Sequence, residues 1–127
     1  MTYIIAEIGV NHNGDIKLAE KLILLAKRSG ANAVKFQCFK AELLARKKTP
    51  KTDYQLKHDL NDRSHYEMLK SLELNREQFK YLRNVADKLS IDFIITPYGL
   101  EDLKTIIDLG VDKIKISSAD LTDKSLI

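Results

Sequence analysis

Apolar and polar positions follow two rhythms along the chain. Four short runs rich in β-branched residues keep the two-residue period of strands: "YIIAEIG" (3–9), "AVKFQCF" (33–39), "DFIITPY" (92–98) and "DKIKISSA" (112–119). Between them the apolar spacing widens to three and four residues, which predicts amphipathic helices. In "DIKLAEKLILLAKRSG" the expected face is Leu18, Leu22, Leu25 and Ala26, with Asp15 as cap and Gly30 as stop. In "NREQFKYLRNVADKLS" it is Phe79, Leu82, Ala86 and Leu89 behind an Asn75 cap. In "LEDLKTIIDLG" it is Leu103, Ile106 and Ile107, ended by Gly110. Strands alternating with helices predict right-handed βαβ units and a parallel sheet.

Residues 40–75 break the rhythm with a long polar insertion and then a short helix candidate, "HYEMLKSLEL". Loops of that length in α/β domains are usually functional or disordered. In the last stretch, "DLTDKSLI", Thr122 or Asp123 is a cap candidate for a fourth helix. Four βα units are half of the eight that close a barrel of ~250 residues. The pattern therefore leaves two α/β architectures: the N-terminal half of a TIM (β/α)8 barrel, or a complete open sheet of four strands.

Side chains alternate faces along a strand. Val34, Phe36 and Cys38 oppose Lys35 and Gln37; Ile114 and Ile116 oppose Lys113, Lys115 and Ser117; Ile4, Ala6 and Ile8 oppose Ile5 and Glu7. One face is apolar and must meet helices, whereas the other is seeded with charge. Parallel sheets are normally covered on both sides, so such charges are costly unless paired or turned toward a ligand. Either Glu7 and a lysine form a structural bridge, or the strand ends hold an anion with an acid or base beside it. Thr96 of "TPYG" (96–99) adds a hydroxyl on the Ile94 face. Ser117, Ser118 and Asp120 of "ISSAD" (116–120) hold phosphate oxygens or merely cap a helix. In "EIGVNHNG" (7–14), Gly9 turns the chain off the strand, and Asn11 and His12 are expected at the rim.

Composition narrows the classes. The 127 residues carry a net charge of +3, with 44% apolar and 31% charged positions, which describes an ordinary globular protein. That mild charge suits a small anion and does not call for nucleic acid. The basic cluster "ARKKTPK" (Arg46, Lys47, Lys48, Lys51) lacks interleaved aromatics and is expected as a solvated loop. Cys38 has no partner cysteine for a disulfide; it fits a reducing cytosol and is expected as a small buried hydrophobe. Glu7 interrupts "YIIAEIGV", which is no signal-peptide core, and no apolar run approaches the ~20 residues of a membrane span. A cytoplasmic protein is the expectation. His12, His58 and His65 lack metal-ligand spacing, and no Walker A loop, GxGxxG, nucleophile elbow or CxxC is present.

Taken in order, "IAEIGVNHNGD", "GANAVKFQCFKAE", "ITPYG" and "DKIKISSADL" resemble the N-terminal half of the sialic acid synthase family. Within it they are most similar to the bacterial N-acetylneuraminate- and legionaminate-forming branch; "TDYQ" and "SHYEMLKSLEL" fit that branch better than the pseudaminate one. The likeness covers essentially the whole chain. It implies a TIM barrel followed by a small antifreeze-like domain, in a domain-swapped dimer. Residues 1–127 would then be a partial barrel, lacking the later strands and the antifreeze-like domain, and a homo-oligomer is expected.

The chemistry implied by the resemblance is condensation of phosphoenolpyruvate with the open-chain aldehyde of an N-acyl-mannosamine-type sugar, releasing phosphate. A divalent metal, manganese or magnesium, would polarise the aldehyde, with its ligands beyond this chain. Carried over by motif, Lys35, Gln37, Thr96, Lys115 and Ser118 would contact phosphoenolpyruvate. Glu7 would position or deprotonate the attacking water. Asp120 stands where the family usually has glutamate and is the candidate for the metal's outer shell, one methylene shorter. Gly99 replaces a common serine. The isolated chain is expected to be inactive, and its exposed sheet edges favour self-association. Two alternatives stand beside this reading: another phosphoenolpyruvate-dependent sugar-acid synthase, and a non-catalytic half barrel that binds an anion or self-associates.

Overall fold

Four parallel strands in the order β1-β2-β3-β4 form the frame of the molecule. The computed structural model describes residues 1–45, 65–111 and 113–127. The basic cluster at Arg46, Lys47, Lys48 and Lys51, together with His58 and "TDYQ", lies outside the described residues. β1 (Ile5–Gly9) leads to α1 (Ile16–Arg28), β2 (Ala33–Cys38), the short α2 (Ala41–Ala45), α3 (His65–Leu72) and α4 (Arg76–Lys88). β3 (Asp92–Pro97), α5 (Leu100–Asp108), β4 (Lys113–Ile114) and a 3-10 turn (Ser118–Asp120) complete the order. The strand–helix alternation read from the sequence is thus the α/β fold observed.

The helices cover the apolar face. Ile8, Val34, Phe36, Cys38, Phe93 and Ile95 pack there with Ile23 of α1 and with Phe79, Leu82 and Ala86 of α4. Asn75 caps α4 in a capping box with Gln78, and Asp15 accepts from the Lys17 and Leu18 amides at the start of α1.

Three details differ from the sequence expectation. The buried face of α1 is centred on Ala19 and Ile23, while Leu25 is 48% exposed. α1 packs with β1 at the sheet's outer edge, so Leu22, Leu25 and Ala26 line an open groove with Ile4, Ala6 and Ile8. In α5 the buried positions are Asp102 and Ile106, whereas Ile107 is 60% exposed. Finally β4 is two residues long, not eight. Among the described residues it pairs with β3 alone, and after one more bond from the Lys115 amide to the Ile95 carbonyl, Ser117 starts the 3-10 turn by accepting from Ala119.

The other, inner face carries Glu7, Lys35, Gln37, Asp92, Ile94, Thr96 and Lys113. Strand register places Glu7 beside Lys35, Lys35 beside Ile94, and Ile94 beside Lys113. One step up, Gln37 lies beside Thr96. One step down, Asp92 is paired by both Lys113 and the Tyr3 hydroxyl, and the Lys113 ammonium also sits 4.9 Å from the Tyr3 ring centroid. Tyr3 precedes β1 and Asp92 begins β3, so this contact reaches across β2 and clasps the N-terminal end of the inner face. Lys113 therefore belongs to a structural clasp and not to an anion site at the strand ends.

Candidate functional site

The C-terminal ends of parallel strands are where open carbonyls, loop amides and side chains meet in α/β barrels. Here Glu7 and Lys35 form an ion pair on adjacent strands, with Lys35 the more buried partner at 20% side-chain exposure against 46%. The pairing register shifts between Glu7 and Gly9, and Gly9 adopts φ +55. A Cβ at Gly9 would come within 3.2 Å of the Glu7 carboxylate and 3.8 Å of the Gln37 amide nitrogen. Glycine here lets the chain bulge off the strand and leaves room for both side chains. The structure thus brings Glu7, Lys35 and Gln37 together, with Thr96 next to Gln37 and 3% exposed.

The remaining candidates are on the loop after β4. Lys115 follows the strand, its ammonium donates to the Ile116 carbonyl at 2.6 Å, and no carboxylate among the described residues pairs with it. Ser118 and Asp120 lie in the 3-10 turn that Ser117 caps. One Asp120 carboxylate oxygen is buried with no hydrogen-bond partner among the described residues.

His12 corrects an expectation. It is fully buried, not at the rim. Its ring lies 6.1 Å from Phe36, on the helix-covered side, and Nδ1 accepts from the Gly14 amide at 3.0 Å. Burial pushes its pKa down, partly opposed by the Gly9 carbonyl, so the ring is a neutral core group. The loop that looked like a polar rim is anchored by its histidine.

Two groups escaped the sequence reading. Tyr98 stands one residue past β3, on the face of Ile94 and Thr96. Its phenol pKa is raised by burial and then by the Glu7 and Asp120 carboxylates. Extending the alternation Ile94–Thr96 by one step would have found it.

Asp102 lies behind the site, 2% exposed, with a carboxylate oxygen 3.9 Å from the Cys38 sulfur. Burial raises its pKa to about 6, against a smaller opposing effect of the Tyr98 amide. The Cys38 thiol is pushed up to about 12, by burial and then by Asp102, so it is the inert buried hydrophobe expected of it.

The raised Asp102 value has a direct consequence. A carboxylate with a raised folded pKa stabilises most below its ordinary value of 3.8, and that contribution is lost as pH rises through about 6. Asp102→Asn should therefore gain about 1–3 kcal/mol over the wild-type chain at pH 7, and little at pH 3.5. Urea unfolding of both chains at the two pH values checks this, and a stability difference independent of pH would refute it.

Among the described residues no group of three or more His, Cys, Asp or Glu could hold a metal ion. None of their helices is long and apolar enough to cross a membrane.

With that geometry in place, likeness to known proteins is informative. The family model described as "NeuB family" matches residues 22–127. An N,N'-diacetyllegionaminic acid synthase of Campylobacter jejuni is 47% identical over 96% of this chain and 36% of its own length. The enzyme of the same name from Legionella pneumophila is 46% identical over 95% of this chain and 34% of its own. A crystal structure of an N-acetylneuraminic acid (sialic acid) synthetase from Leptospira borgpetersenii, in complex with citrate, superposes with a TM-score of 0.78 at 31% identity, covering 98% of this chain and 39% of that one. The chain thus spans about a third of the length of these relatives. Its four strands are part of a TIM-type barrel. On sequence and on structure alike, the chain belongs to the NeuB family.

Proposed function

We propose that this chain supplies the phosphoenolpyruvate half of a sugar-acid synthase site, in which phosphoenolpyruvate condenses with an N-acyl-mannosamine-type aldehyde. The observation that carries the reading is the Glu7–Lys35 ion pair on the inner face, beside Gln37 and Thr96 at the strand ends. An isolated structural bridge would not need two further polar side chains arranged over it.

In this reading Lys35 and Lys115 neutralise the phosphate and carboxylate of the substrate. Gln37, Thr96 and Ser118 fix its orientation through neutral hydrogen bonds. The enolpyruvyl carbon attacks the aldehyde carbon; water then adds to the resulting cation, and the carbon–oxygen bond to phosphate breaks. Glu7 positions that water and takes its proton, while Lys35 holds the carboxylate in place. The described residues do not fit a divalent metal on their own, so its direct ligands are assigned outside them, with Asp120 near its water shell. A homo-oligomer acting in the cytoplasm completes the reading.

The whole protein, given phosphoenolpyruvate and N-acetylmannosamine or a diacetamido relative, should release phosphate and form the sugar acid in equal amounts. The 127-residue chain alone should do neither. Absence of phosphate release by the whole protein with every N-acyl-mannosamine-type sugar, manganese or magnesium being supplied, would sink the proposal.

A further inference from the structure

We infer that the Tyr98 hydroxyl is a substrate-contacting donor of this site, giving its hydrogen bond to an oxygen of bound phosphoenolpyruvate; the inference rests on the function proposed above. The ring is placed firmly. The Tyr98 amide donates to the Cys38 carbonyl at 3.2 Å, and the ring meets Phe39 edge-on, with centroids 6.4 Å apart at 83°. Tyr98 shares the inner face with Thr96 and stands one residue past the end of β3, toward the mouth. A phenylalanine would make the same contact with Phe39, so the hydroxyl is what needs an explanation.

That hydroxyl has no hydrogen-bond partner among the described residues, unlike those of Tyr3 and Tyr81, which donate to Asp92 and Glu20. Its surroundings also fix its protonation. Burial first, and then the Glu7 and Asp120 carboxylates, disfavour a phenolate, so the group stays a neutral donor at pH 7. A neutral donor is useful at this point, because an entering anion meets two carboxylates there. Lys35 offsets Glu7, but no described cation pairs with Asp120. The O–H supplies attraction on that side without adding charge.

In the whole protein, Tyr98→Phe should weaken phosphoenolpyruvate binding about tenfold in calorimetry, the scale of one hydrogen bond to a charged acceptor. Its melting temperature should be unchanged. With 3-fluorotyrosine placed at position 98, the fluorine resonance should shift on saturation with phosphoenolpyruvate. If wild type binds phosphoenolpyruvate but Tyr98→Phe binds within twofold, or the fluorine resonance stays put, this inference fails and the proposed function stands. If wild type itself does not bind phosphoenolpyruvate, both fail together.

Discussion

Gly14→Ala should lower the stability of the chain by about 3 kcal/mol, seen as a fall in melting temperature of about 10 °C or more. Two costs add at this position. Gly14 adopts φ +75, in the left-handed region, which charges an alanine about 1–2 kcal/mol. A Cβ there would also fall far inside contact distance of the Ser71 carbonyl oxygen and 3.3 Å from its carbon. That obstacle is backbone at the end of α3, not a flexible side-chain tip, so the turn and the helix must separate. The Gly14 amide is the donor to His12 Nδ1, so separation also disturbs the histidine buried against Phe36. Gly30→Ala is the matched control: its φ is +85, yet a Cβ there would meet nothing within 4 Å. It should cost only the conformational part. Equal losses at the two positions, measured by urea unfolding, would mean that the contact with Ser71 contributes nothing.

That contact shows where the sequence could and could not be read. The strands, the helices and the inner face of Glu7, Lys35, Gln37 and Thr96 follow from periods of two and of three to four residues, which are local properties. The destination of "NHNG" is not local. Its histidine looks like a rim residue until α3, far along the chain, arrives to cover the turn. Leu25 and Ile107 fail for a related reason: a helical stripe shows which side is apolar, but the neighbours present decide which residues of the stripe are covered. Lys113 and Lys115 look equivalent by alternation, yet only the register and the reach of Tyr3 show that Lys113 is taken by Asp92. The legionaminate-type resemblance needed no structure, because four motifs in fixed order are far more specific than any one of them. Asp102 could not be found at all, since "LEDLKTI" reads as an exposed first turn and its burial depends on Cys38 of a different strand.

The largest functional effect is expected at Glu7. In the whole protein, Glu7→Gln should cut turnover by about 10²–10⁴, the range over which a positioned general base acts. The amide keeps the shape of the carboxylate, so the close approach to Gly9 is retained and the fold should be unaffected. Binding should move the other way. In the native chain Glu7 occupies the Lys35 ammonium and places a negative charge where an anion must enter. Glutamine releases Lys35 and removes the repulsion, so phosphoenolpyruvate should bind more tightly while reacting more slowly. Lys35→Met should instead weaken binding, and it leaves Glu7 without its cation. This opposition separates catalysis from architecture: a purely structural bridge would respond to loss of either partner in the same way, through stability. Calorimetry with phosphoenolpyruvate and a phosphate-release assay on both variants provide the test. If Glu7→Gln retains turnover within threefold of wild type, or loses affinity together with rate, the pair is a structural bridge of the sheet and the base must be sought elsewhere.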